Sequence, residues 1–136
     1  MDIKKLGSTG TENVENAQRA FIMHPIDEVA LLGSDGEPLW IDVHGADSKV
    51  FRKAVNQYGN RKLKKKKNNT TMEEVESTAN GILANAIAGW SGNFLYDGEA
   101  LECTYENAVR VLEETPWLKE QVDAFAQDRS NFLASA

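Results

Sequence analysis

Residues 79–101 read Ala-Asn-Gly-Ile-Leu-Ala-Asn-Ala-Ile-Ala-Gly-Trp-Ser-Gly-Asn-Phe-Leu-Tyr-Asp-Gly-Glu-Ala-Leu, the least polar stretch of an otherwise charged chain. The spacing predicts an apolar helix running into Gly89-Trp90, followed by a turn through Asp97-Gly98. A helix this apolar needs cover on most sides, and only the segments before and after it can supply that cover. The rest of the chain is therefore expected to pack around this helix and its tryptophan.

Upstream, Met72, Val75, Ala79, Ile82, Leu83, Ala86, Ile87 and Trp90 keep helical spacing for five turns. Thr71 is placed to cap that helix, and Glu73 and Glu74 fall in its first turn, where the dipole favours acids. Charges stop after Glu76, so the second half is expected to be the more deeply buried. Downstream, Asp97-Gly98 sits between two short extended pieces. Thr104 is then placed to cap a helix carrying Tyr105, Ala108, Val109 and Leu112. Thr115-Pro116 opens a last helix with proline at its favoured first position. Leu118, Val122, Phe125, Phe132 and Leu133 give it an apolar stripe broken by Arg129.

The N-terminal half reads differently. Residues 1–12 are polar and glycine-containing and are expected to form a flexible arm. Val14, Ala17 and Phe21 suggest a short helix over 13–22, ended by His24-Pro25. Residues 28–44 read as a β-hairpin, with apolar runs at 29–32 and 39–43 and Gly33-Ser34-Asp35-Gly36 as its turn. Leu39, Ile41 and Val43 alternate with Trp40 and Asp42, which predicts one buried face. Asp47 is the expected cap of a helix bearing Val50, Phe51, Ala54, Val55 and Tyr58. Residues 61–71 read as a basic and polar linker.

The fold class that follows is α+β. A small antiparallel sheet from one or two hairpins packs with four to five helices, and the C-terminal half is helix-rich. The two hairpin regions are expected to share one sheet. At 136 residues, the chain beyond its arm (13–136) is expected to be a single domain.

Composition narrows the function. The chain has no apolar run long enough to span a membrane and no apolar signal core at its N-terminus, which points to the cytoplasm. A lone Cys103 excludes an internal disulfide and a multi-cysteine zinc site. Charge is uneven: residues 47–71 carry nine basic and one acidic side chain, whereas 1–46 carry three and eight and 72–136 carry three and twelve. A basic middle between acidic ends can pair internally, with another copy, or with a partner.

Candidate chemistry is sparse. His24 and His44 have no ligand partners at metal spacing. Cys103 has no nucleophile motif around it, and Gly-Trp-Ser-Gly at 89–92 is not a nucleophile elbow. Gly33-Ser34-Asp35-Gly36 lacks the lysine and helix start of a phosphate-binding loop. No enzyme, metal or cofactor is expected. The run Arg61 to Lys67 is the best nucleic-acid feature, but no aromatics interleave it and the remaining chain is acidic. Trp90 reads as a core anchor, and Trp117 reads equally as core or as binding surface.

Several stretches together resemble the tail assembly chaperones of long-tailed bacteriophages. They are His24-Pro25, the hairpin followed by Gly45-Ala46-Asp47-Ser48-Lys49-Val50-Phe51-Arg52, and Asn60-Arg61-Lys62-Leu63 entering the lysine run. Then come Ile87-Ala88-Gly89-Trp90, Tyr96-Asp97-Gly98, Glu106-Asn107-Ala108-Val109, Pro116-Trp117-Leu118 with Gln121-Val122, and Asp128-Arg129-Ser130-Asn131-Phe132-Leu133. Their order and spacing, from about residue 22 onward, carry the resemblance. It implies a non-enzymatic protein that binds the helical tape-measure protein, keeps it soluble and helps tail-tube subunits gather around it. Such a protein is absent from the finished virion. The candidate partner contacts are then Lys64, Lys65, Lys66 and Lys67, or the terminal stripe of Trp117, Phe125 and Phe132. Self-association through the opposite charge blocks is a further expectation. The competing readings are a head–tail adaptor or other structural protein retained in the virion, and a nucleic-acid-associated accessory protein.

Overall fold

The computed structural model describes residues 14–65 and 71–133. It is an α+β fold with a three-stranded antiparallel sheet, a separate two-stranded hairpin and four α-helices, and its C-terminal half is helix-rich. The expected arm at 1–12 lies outside the described residues.

The sheet is built from β1 (Gln18–Phe21), β2 (Trp40–Val43) and β3 (Ile87–Trp90), with β2 in the centre. The first strand corrects the helix expected over 13–22. Gln18 to Phe21 pair antiparallel with Val43 to Trp40, and Arg19 reaches across to Asp42 at 3.0 Å with its guanidinium 3.5 Å over the Trp40 ring. A cross-strand ion pair and a cation–π contact on one face hold this register where helical spacing of three apolar residues does not.

The third strand corrects the reading of the central stretch. The helix α2 (Met72–Ala86) stops four residues before Trp90. Its end is drawn into the sheet, because His44 N donates to Ala86 O at 2.8 Å. Ile87, β-branched, then opens β3 and pairs with Val43. Spacings of three and four from Leu83 to Trp90 fit a helix and an inward-facing strand end equally well.

The hairpin over 28–44 keeps its turn but not its first strand. Gly33 N donates to Glu37 O, and Gly36 takes a positive φ of 79°. Residues 29–32 form only isolated bridges, Met23 with Ala30 and Leu32 with Pro38. Val29 and Leu32 stay exposed, whereas Ile41 and Val43 are fully buried as alternation requires. β4 (Leu95–Tyr96) and β5 (Glu99–Ala100) form the second hairpin around Asp97 and Gly98, both at positive φ. It stands apart from the three-stranded sheet, so the two hairpin regions do not share one sheet.

Helix α1 (Lys49–Lys65) is capped by Ser48 rather than Asp47. The buried Ser48 hydroxyl accepts from Phe51 N at 3.2 Å and donates to Gly45 O at 2.7 Å. The helix continues through Gly59 and into the basic run, so Arg61 to Lys65 are helical rather than linker. Thr71 and Thr104 cap α2 and α3 (Tyr105–Glu114) as expected, each accepting from the amide three residues on. Pro116 opens α4 (Pro116–Gln127), and a short 3-10 turn follows at Arg129–Asn131.

The core lies where α2, α3 and α4 meet the inner face of the sheet. It includes Ile22, Ile41, Val43, Phe51, Leu83, Trp90, Phe94, Val111, Leu112, Leu118 and Val122. As expected, the second half of α2 is its buried half. Trp90 is a core residue. Its ring stacks on Phe94 with centroids 4.8 Å apart, and Nε1 donates to Leu101 O at 2.7 Å.

Candidate interaction groove

An open groove of about 750 Å³ lies between β1 and α4. One wall is Ala20, Phe21, Ile22 and Met23. The other is Trp117, Leu118, Gln121, Val122 and Phe125, with His24-Pro25 at one end. Two anchors fix this geometry. Gln121 grips the backbone of Met23 from both sides, accepting from its N–H at 2.9 Å and donating to its C=O at 2.7 Å. His24 Nδ1 accepts from the amides of Ile26 and Asp27, both at 3.1 Å, and closes the turn after Pro25.

The walls are apolar and partly open to solvent. Phe21 is 52% exposed, and Trp117 and Phe125 are half-buried. The charged lining residues are Glu28, Glu120 and Asp128, and no lysine or arginine among the described residues lines the groove. The Ser130 hydroxyl and amide hold the Asp128 carboxyl below the ordinary aspartate range, so it stays ionised. Beyond the groove, Ile26 projects at the turn with 82% of its surface exposed.

The expected contact residues divide. Trp117 and Phe125 sit together on the groove wall. Phe132 does not join them: it is 5% exposed, meets Phe125 edge-on at 5.7 Å and packs against Gly45. Its place behind Phe125 arises because α4 ends at Gln127 and the 3-10 turn reverses the chain, breaking the helical stripe. Lys64 and Lys65 belong to the last turn of α1. Lys66 and Lys67 lie outside the described residues.

A smaller hollow of about 140 Å³ lies under the Asp47–Arg129 ion pair. Arg129 donates through Nε to Asp47 at 2.7 Å and through a terminal nitrogen at 3.3 Å, tying the loop before α1 to the chain after α4. This guanidinium, more than any other group, keeps the Asp47 carboxyl below its usual range. The freedom of Asp47 to serve here follows from Ser48 taking the cap.

Burial pushes the half-buried Cys103 thiol up, away from the thiolate a nucleophile needs. His44 Nδ1 is buried without a hydrogen-bond partner among the described residues. No three His, Cys, Asp or Glu side chains among the described residues gather closely enough to hold a metal ion. No helix among them is long and apolar enough to cross a membrane.

The chain matches no protein-family model, no curated protein and no solved structure.

Trp117 and Phe125, singled out in the sequence as candidate contacts, line the groove, whereas β1 and Gln121, which also shape it, were not anticipated. The available signal was Phe21-Ile22-Met23, a β-prone apolar run two residues before Pro25.

Proposed function

We propose that this chain is a bacteriophage tail assembly chaperone, a non-enzymatic protein that binds the tape-measure chain and assists tail-tube assembly. The observation that carries the reading is the open, largely apolar groove between β1 and α4, whose lining includes Glu28, Glu120 and Asp128. A tape-measure chain exposes amphipathic stretches until the tube covers them. A protein that shields them needs an apolar trough for those stretches and surface charge to keep the complex dissolved. The resemblance to this family from about residue 22 onward is the ground for naming that partner. The proposed place of work is the host cytoplasm, before the virion is complete.

The test is affinity purification of the full chain from cells producing the encoding phage. Recovery of the tape-measure protein, with tail-tube protein in smaller amount, is the expected result. Purified virions should lack the chain. Its presence there at fixed stoichiometry would favour a retained head–tail adaptor instead. Replacing Lys64 to Lys67 with glutamate separates the electrostatic contribution, since recovery that is unchanged across salt concentrations excludes the lysine run from binding. Retention on DNA at about 150 mM salt would favour the nucleic-acid reading, because weak non-specific phosphate binding is largely lost there.

A further inference from the structure

β1 is an edge strand, and the direction of its backbone groups is fixed by its neighbours. Ile22 N donates to Leu39 O at 3.0 Å, toward β2. Trp40, which lies opposite Phe21, directs its own N–H to Ser91 Oγ and its C=O to Ser91 N, toward β3. Pairing alternates along an antiparallel ladder. Gln18 and Ala20 therefore turn their backbone groups inward, and Arg19 and Phe21 turn theirs outward. No hydrogen bond among the described residues occupies those outward groups. Met23 is next in the outward series, and the Gln121 amide occupies both of its groups. A side chain thus supplies strand-like pairing at one position, and among the described residues the two positions beside it have no backbone partner.

These two positions border the groove. A helix laid there satisfies its own backbone and leaves Arg19 and Phe21 unpaired, whereas an extended segment pairs with both. The apolar wall of Trp117 and Phe125 lies on the core side of the sheet and suits apolar side chains at every second position of such a segment. Charge selects further. The charged groups in the lining are Glu28, Glu120 and Asp128, all acidic, and the only nearby cation on β1, Arg19, is already held by Asp42. We propose that the β1 edge receives an extended segment of a partner polypeptide as a fourth strand, one that alternates apolar residues with lysine or arginine. The proposal deepens the chaperone reading and rests on its premise that the groove receives another chain.

Amide hydrogen exchange on the full-length protein tests this, with a nine-residue peptide alternating valine and lysine as probe. Saturating peptide should slow exchange at Arg19 and Phe21 by about tenfold or more, while Ala20 and Ile22 are protected with and without it. The same peptide with glutamate for lysine should bind at least about tenfold more weakly, and Glu120→Lys should weaken the lysine peptide. The proposal is overturned if a helical leucine–lysine peptide binds as tightly without protecting those two amides. It is equally overturned if they are protected without peptide in a concentration-dependent way, which would place a second copy on the edge. Absence of peptide binding alongside successful recovery of the tape-measure protein would overturn the strand mode alone. Peptide binding without that recovery would instead count against the partner's identity.

Discussion

Three single residues carry more of the structure than their neighbours. Phe132 is the first, since its buried ring closes the space between Gly45 and Phe125. Phe132→Ala should lower stability by roughly 3 kcal/mol through lost burial and the cavity left behind. Gly45→Ala approaches the same contact from the other side. A Cβ there would lie 2.8 Å from the Phe132 ring, so a loss of about 1–3 kcal/mol is expected, and urea unfolding measures both. Because the two substitutions share one contact, their costs should not add. Asp47 is the third. Its carboxyl is held below the ordinary aspartate value of 3.8, first by the Arg129 hydrogen bond. A depressed folded value means that the contribution is complete above 3.8 and lost as pH falls below it through the folded value. Asp47→Asn should therefore flatten the acid limb of a thermal-melt series. At neutral pH it should cost well under about 1 kcal/mol, because both partners are largely exposed and screened.

At the scale of the element, caps and strand ends decide where helices begin and stop. Ser48→Ala removes a buried hydroxyl that serves both Phe51 N and Gly45 O, and about 1–2 kcal/mol should be lost. Asp47→Ala, at the residue the sequence suggests as cap, should cost less, and comparing the two by denaturant midpoint assigns the cap. The sequence made the helices legible because capping threonines, Pro116 and apolar spacing all act locally. It left β1 and β3 illegible because both strands are defined by partners far along the chain. Arg19 needs Asp42 and Trp40 to be a strand residue, and Ile87 needs Val43. The central stretch shows the limit most clearly. Leu83, Ala86, Ile87 and Trp90 satisfy helical spacing, yet the hydrogen bond from His44 N to Ala86 O draws the chain into the sheet.

At the scale of the whole molecule, the sheet and α4 hold a trough open between them. Gln121 is the brace, joining α4 to the edge strand through two hydrogen bonds to one residue. Gln121→Ala should loosen the β1–α4 distance and weaken any groove-bound chain, with a modest stability loss of about 1–2 kcal/mol. The circular-dichroism spectrum should stay close to that of the parent, since no helix depends on that side chain. The place of Trp117 and Phe125 on one side of α4 was legible because apolar residues at helical spacing share one face. Phe132 was misplaced because the same spacing crosses the helix end at Gln127. The groove itself was hidden, since one of its walls is a strand that only tertiary pairing defines. The most direct measurement is recovery of the tape-measure protein by the full chain, compared with a Trp117→Ala variant shown to be folded by its melting curve. Recovery is expected with the parent and should fall by about tenfold or more with the variant, as befits loss of an aromatic contact. Equal recovery by both, or recovery by neither, would contradict that expectation.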